Sequence, residues 1–125
     1  MILSNEAIDV QLATLANFIE QGSANATFIF YSSNIPENSS VAVNSQFQII
    51  RLTLPKPCIK SMLNQSIELY PSESGLVTRT GIPKWARLYN GNGKIVADFE
   101  LGKDITLSET TLVLGGTLTL ESIII

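Results

Sequence analysis

The chain has no histidine and only one cysteine among its 125 residues. Without histidine, the Ser-His-Asp and Cys-His catalytic arrangements and the usual zinc ligand sets are excluded. A single cysteine, Cys58, excludes a disulfide within the chain, and its neighbours Pro57 and Ile59 predict a half-buried hydrophobic side chain rather than a reactive thiol. We therefore expect no catalytic residues, no metal site, no cofactor and no enzymatic activity.

Charge is also scarce. Charged residues make up 15% of the chain, the net charge is −3, and the eight basic residues form no run. A nucleic-acid partner needs clustered Lys and Arg, so none is expected. No apolar run approaches the length of a membrane span, and residues 1–9 lack the basic segment of a signal peptide, so we expect no membrane partner and synthesis in a cytoplasm. A domain with 45% hydrophobic residues and few charges is typical of a protein that covers part of its surface with copies of itself or a partner.

One amphipathic helix is predicted over residues 4–21. Ser4 or Asn5 caps its start, and Gly22 follows its end. Hydrophobic residues recur there at intervals of four, three and four, which places them on one helix face. This helix stripe consists of Ile8, Leu12, Leu15 and Ile19. Such a face packs either on the chain's own sheet or against a neighbouring subunit.

The rest of the chain, residues 27–125, is predicted to form a β-rich body, because its hydrophobic periodicity changes to two. Strands are predicted at 27–31, 47–54, 66–70, 75–80, 84–90, 94–100, 105–107, 111–114 and 117–125. Residues 58–65 are ambiguous, with one helical turn over 59–63 as one interpretation. Many short strands in a chain of this length predict one mainly β domain, residues 1–125, built as an antiparallel β-sandwich or small barrel with one N-terminal α-helix.

The block Asn90-Gly91-Asn92-Gly93 between two alternating runs predicts a β-hairpin whose turn needs positive φ. On the first of these strands, Trp85, Arg87 and Tyr89 point to one face. They form either a strip that binds a carbohydrate or a partner, or a core arrangement in which Arg87 lies over Trp85 and reaches Asp98 across the hairpin. The core arrangement is the favoured interpretation.

Four carboxylates are the candidates for a catalytic pair or a calcium site. Asp98 and Glu100 share one strand face and are candidates, with Glu68 and Asp104, for a glycosidase pair. A solvent-facing polar edge is the favoured interpretation, and a calcium site from Asp98 and Asp104 matches no loop motif. The apolar end of the chain, by contrast, predicts a strand paired in a sheet or buried at an interface. Its residues are Ile123, Ile124 and Ile125.

Several of these motifs together resemble a family of small proteins common in tailed-phage and prophage genomes. The resemblance runs through Gly22, Thr27–Tyr31, Ile35-Pro36, Gly81-x-Pro83-x-Trp85-Ala86-Arg87-Leu88-Tyr89-Asn90-Gly91-Asn92-Gly93-x-x-Val96-x-Asp98, Asp104-Ile105-x-Leu107 and Gly115-Gly116-x-Leu118-x-Leu120-x-Ser122. It covers most of the chain, and residues 55–75 depart most from it. The motifs are turns and strand alternation, so no catalytic residues come with it.

The resemblance implies a virion protein of the capsid surface, the head–tail junction or the tail, made in the host bacterial cytoplasm. Its expected partners are copies of itself and other virion proteins. We expect it to dock through the helix stripe and through residues 123–125. The alternative is a carbohydrate- or receptor-binding module of a phage fibre or baseplate that uses Trp85, Arg87 and Tyr89.

Overall fold

A computed structural model describes residues 1–107, 110–121 and 123–125. Ser122, which belongs to the predicted C-terminal strand and to the family pattern, lies outside the described residues. Within them the elements are α1 (Asn5–Ile19), β1 (Thr27–Tyr31), a 3₁₀ turn (Ser45–Phe47), β2 (Gln48–Thr53), β3 (Ile59–Leu63), β4 (Ser66–Leu69), β5 (Gly75–Leu76), β6 (Trp85–Tyr89), β7 (Ile95–Glu100) and β8 (Thr117–Leu118). No helix among the described residues is long and apolar enough to cross a membrane.

The strands form antiparallel sheets. A central sheet has the order β2-β1-β6-β7, and two smaller sheets pair β3 with β4 and β5 with β8. The prediction of a mainly β, sandwich-like fold with an N-terminal helix is confirmed. The predicted hairpin is confirmed as well, since β6 and β7 pair across the Asn-Gly-Asn-Gly turn.

The main hydrophobic core lies on the first face of the central sheet. Phe28 of β1 is opposite Leu52 of β2 on one side and Leu88 of β6 on the other, and all three side chains are fully buried. The small sheets and α1 cover this face, contributing Ile67 and Ile19 among others. Side chains that alternate with these along the strands, such as Ile29 and Tyr31, point to the opposite face and are not part of this core.

The helix begins and ends close to the predicted positions. Ser4 is the N-cap, and its Oγ accepts a hydrogen bond from the Ala7 backbone N–H at 3.1 Å. After the last turn the chain passes through Gly22 at φ +98°, a left-handed conformation that favours glycine. Distant side chains satisfy carbonyls at the helix end: Lys56 Nζ donates to Glu20 O at 2.9 Å and Asn90 Nδ2 donates to Phe18 O at 3.0 Å.

The helical turn considered for residues 59–63 is wrong, because this segment is strand β3. It pairs with β4 through contacts such as Met62 with Ile67. Asn64 and Gln65, both at φ +55°, form the two-residue turn between the strands. Strand β4 is packed on the core, and its backbone groups need hydrogen-bond partners, which β3 supplies. This pairing overrides the helix-like spacing of Ile59 and Leu63.

Four predicted strands are shorter than expected. Residues 75–80 form a strand only at β5, because Thr78 N–H then turns to donate to Ile49 O of β2. Residues 105–107 and 111–114 contribute single bridges, Leu101 with Ile105 and Gly81 with Leu112. Residues 117–125 divide into β8 and a separate bridge between Glu68 and Ile124.

The C-terminal residues extend the β3–β4 sheet. Backbone hydrogen bonds join Ile125 with Ile67 in both directions, at 2.7 and 3.3 Å, and Leu69 N–H donates to Ile123 O at 2.9 Å. Pairing in a sheet is therefore confirmed for this segment. Ile123 and Ile125 pack against the core, whereas the side chain of Ile124 is exposed.

Cys58 is fully buried and has a polar partner that the sequence did not indicate. The carboxylate of Glu20, at the end of α1, accepts hydrogen bonds from the Cys58 backbone N–H at 3.0 Å and from its Sγ at 3.0 Å. Burial, together with this hydrogen bond, raises the pKa of the Cys58 thiol to about 12. The contact fastens the end of the helix to the start of β3.

The buried thiol makes a prediction about reactivity. At pH 8 we expect the folded chain to react with iodoacetamide on the order of a thousandfold more slowly than the chain in guanidinium chloride, because the thiolate is correspondingly scarcer. The folded thiol keeps its proton while an unfolded thiol loses it near its ordinary pKa of 9.0, so stability from this group declines as pH rises from about 9 to 12. Equal alkylation rates in the two states would contradict this burial.

Candidate functional site

The second face of the central sheet carries a separate aromatic cluster. Because side chains alternate along a strand, Ile29 and Tyr31 of β1 point away from the main core, toward Trp85 of β6. Tyr31 and Trp85 are opposite each other in the register, and their rings stack with centroids 4.6 Å apart at 22°. Both strands are therefore buried on two faces at this point.

Arg87 and Asp98 form an ion pair on this second face, directly opposite each other on β6 and β7. The contact is bidentate, with Nε to Oδ1 at 2.6 Å and Nη2 to Oδ2 at 3.0 Å. The hydrogen bond to Asp98 raises the pKa of Arg87, against the opposing effect of burial. The guanidinium also lies 5.1 Å from the Trp85 ring centroid, a cation–π arrangement.

The loop of residues 32–44 closes over this pair. Trp85 Nε1 donates to Ser33 Oγ at 3.3 Å, and Arg87 Nη1 donates to the Val41 carbonyl at 3.0 Å. Trp85 and Arg87 are thus buried, and the core interpretation of this strip is confirmed. Neither side chain is available as a ligand contact, whereas Tyr89 remains partly exposed at the end of the strip.

Beside the loop, an open cavity of about 510 Å³ lies on the uncovered part of the second face. Its lining includes Ile29, which is buried, and Tyr89, Val43, Gln48 and Arg51, which keep exposed surface. The remaining described lining residues are Ala24, Asn25, Thr27, Tyr31, Asn90, Gly91 and Gly93. We call this cavity the second-face groove.

Two guanidinium groups flank β1 on this face, because Arg51 of β2 and Arg87 of β6 are both opposite Ile29. Burial and a hydrogen bond with Tyr89 raise the pKa of Tyr31, while the positive charges of Arg87 and Arg51 act in the opposite direction. Asp98 neutralises Arg87. Within the part of the chain that the structure describes, Arg51 forms no salt bridge, so its charge faces the groove uncompensated.

Sequence reasoning selected Tyr89 but missed Arg51, Ile29 and Val43. A usable indication was present in residues 27–31, where every side chain is apolar or aromatic except the first. A strand without polar alternation is buried on both faces, which predicts a second covered face. The single charged residue in β2, Arg51, then marks where that cover ends.

The helix stripe is used mainly inside the subunit. Ile19 is fully buried, and Leu12 and Leu15 are half-buried against the main core. The chain itself closes Ile19 to a partner, so the docking prediction does not hold for that residue. Ile8, Leu12 and Leu15 keep part of their surface, and docking through them stays a prediction. The same applies to Ile123, Ile124 and Ile125 at the C-terminal end, since none of them is fully buried.

The candidate carboxylates are dispersed. Asp98 binds Arg87 and is largely buried, which corrects its assignment to a solvent-facing edge. Glu68 contacts Lys60 at 3.2 Å, and Asp104 Oδ2 accepts a hydrogen bond from the Glu100 backbone N–H at 2.8 Å. Across the described ranges, no three His, Cys, Asp or Glu side chains come together in a group that could hold a metal ion.

Comparison with known proteins yields no relative: no family model, no curated protein and no solved structure matches this chain.

Proposed function

We propose that the chain is a non-enzymatic structural subunit of a tailed-phage virion, on the capsid surface, at the head–tail junction or on the tail. It acts by docking on copies of itself and on other virion proteins. The proposal is supported by the sequence resemblance and by hydrophobic side chains that the folded chain leaves in solvent.

The exposed hydrophobic side chains carry the proposal. Four of them lie on segments that hydrogen bond to one another, through the β5–β8 pair and the bridge between Gly81 and Leu112. These residues, which we call the apolar rim, are Leu76 at 59% exposure, Ile82 at 58%, Val113 at 60% and Leu114 at 64%. Large side chains that remain this exposed on neighbouring segments are typical of surfaces that bind other proteins.

The residues that carry the resemblance have packing roles, which is consistent with a family defined by its fold. Trp85, Arg87 and Asp98 hold the second face, as described above. Asn90 Oδ1 accepts hydrogen bonds from two backbone N–H groups of the turn, each at 3.0 Å, while its amide binds the helix end. Residues of this kind stabilise the fold rather than bind a substrate, as is expected for a subunit that acts by assembly.

The oligomeric state tests the proposal. Light scattering over a range of concentrations is expected to give one defined oligomer for the wild-type chain, and a monomer for Val113→Asp with Leu114→Asp, because two charges would then lie in the buried interface. Val10→Asp, at a helix position of 62% exposure, is the matched control and should leave the oligomer intact. A wild-type monomer at every concentration would contradict self-docking.

A carbohydrate- or receptor-binding module of a fibre or baseplate is the second candidate, favoured by the second-face groove. Because Trp85 is buried, substituting it would test folding rather than binding. Tyr89 is the informative position instead, since its partly exposed ring lines the groove.

A further inference from the structure

We infer that the second-face groove binds a sugar that carries a carboxylate, with Arg51 as the residue that selects the acid. This inference deepens the second candidate function and rests on it. It concerns a different surface from the apolar rim, so a docking subunit could carry this site as well.

The positive charge in the groove favours a negatively charged ligand. Arg51 is the one charged residue among the described residues that line the cavity, in a chain whose net charge is −3. Its side chain is exposed, and Arg51 is opposite Ile29, another lining residue, in the register of β1 and β2. A guanidinium binds a carboxylate through two parallel hydrogen bonds, so a planar acid at the rim meets a matched partner.

The remaining lining favours a sugar over a simple acid. Tyr89 and Val43, both partly exposed, offer apolar surface of the kind that covers the C–H face of a pyranose ring. The side chains of Thr27 and Gln48 make no hydrogen bond with other described residues, so they are available for sugar hydroxyls. A cavity of about 510 Å³ that combines apolar surface with a few polar groups has the size and composition of small-molecule sites.

A comparison with Arg87 shows why Arg51 is the residue that would bind the ligand's carboxylate. Arg51 and Arg87 are opposite Ile29 on its two sides, but Arg87 already has a carboxylate, that of Asp98, and is buried under the loop. A ligand carboxylate at Arg51 would supply on the open side the partner that Asp98 supplies on the closed side. The groove therefore has a guanidinium without a carboxylate, whereas the same sheet face has the complete pair of Arg87 and Asp98.

The test is a titration of ¹⁵N-labelled chain followed by backbone amide shifts, with sodium glucuronate, glucose and sodium acetate as three separate probes. Glucuronate is expected to give saturable shifts at Gln48, Arg51, Tyr89 and Gly93, with affinity at least about tenfold higher than that of glucose or acetate. Arg51→Gln should remove the preference for glucuronate over glucose. Lys60→Gln, which removes an exposed charge on β3 away from the groove, should keep it.

The outcomes separate the two levels of the inference. Equal affinity for glucuronate and glucose, or an unchanged preference in Arg51→Gln, would overturn the acidic ligand while leaving the groove as a sugar site. Acetate binding as tight as glucuronate would overturn the sugar part. No saturable shift in the groove with any of the three probes would overturn this site together with the second candidate function.

Discussion

Asp98→Ala is expected to destabilise the folded chain by roughly 3–5 kcal/mol, the loss typical of a buried ion pair broken on one side. The substitution leaves Arg87 buried with a positive charge and without its bidentate partner. The side chains of Arg87 and Asp98 are 1% and 10% exposed, so water cannot replace the carboxylate without opening the loop over Trp85. Urea unfolding measured by tryptophan fluorescence gives the free energy directly, because Trp85 is the only tryptophan.

The chain contains its own control for this prediction. Lys60 and Glu68 form a second ion pair between adjacent antiparallel strands, with side chains 48% and 28% exposed. Glu68→Ala should cost at most about 1 kcal/mol, because solvent screens the exposed pair. The double variant Arg87→Met with Asp98→Leu should be more stable than Asp98→Ala, since no charge is left buried. Equal losses for Asp98→Ala and Glu68→Ala would contradict the burial of the Arg87 pair.

Gly91→Ala is expected to cost about 3 kcal/mol or more, at the upper end of overpacking effects. A Cβ at this position would lie 2.1 Å from the carbonyl oxygen of Ala24 and 2.7 Å from that of Gln21. Both are backbone atoms of the segment that follows the helix, so no side chain can move aside. The hairpin turn would have to separate from the helix end, which would also break the bond from Asn90 to Phe18 O.

Gly93→Ala separates this contact from the general cost of replacing glycine. Gly93 has φ +77° and nothing within 4 Å of an added Cβ, so the expected loss is about 1 kcal/mol from the left-handed conformation alone. Thermal unfolding of both variants followed by circular dichroism would rank them. A Gly91→Ala protein as stable as Gly93→Ala would show that the turn does not pack on the helix end.

The same turn shows how far local sequence patterns reach. Asn90-Gly91-Asn92-Gly93 predicted a hairpin correctly, because the turn and the alternation on both sides are local properties. Of the two glycines, only Gly93 has the positive φ for which the turn was predicted to need glycine. Gly91 is required instead by its contact with a backbone some 70 residues away in the chain. Local spacing cannot reveal which backbone a glycine will touch.

Strand β3 and the second-face groove are features that local sequence patterns did not predict. Ile59 and Leu63 have a helix-like spacing, and their turn uses Gln65 at φ +55°, a conformation that glutamine seldom adopts. Only pairing with β4 determines their strand conformation. Likewise, residues 32–44 cover one face of the sheet, and which face they cover depends on the assembled sheet. Trp85 and Arg87 are buried for that reason, and Arg51 remains open.

The most direct test of the structural role is to look for the chain in phage particles. Epitope-tagged chain would be produced in a bacterial host during growth of the phage proposed to contain it, and particles purified on a density gradient would be probed with antibody against the tag. The proposed role predicts that wild-type chain and the Val10→Asp control sediment with intact particles, and that Val113→Asp with Leu114→Asp stays in the soluble fraction. Particles that form normally while all of the wild-type chain remains soluble would contradict it.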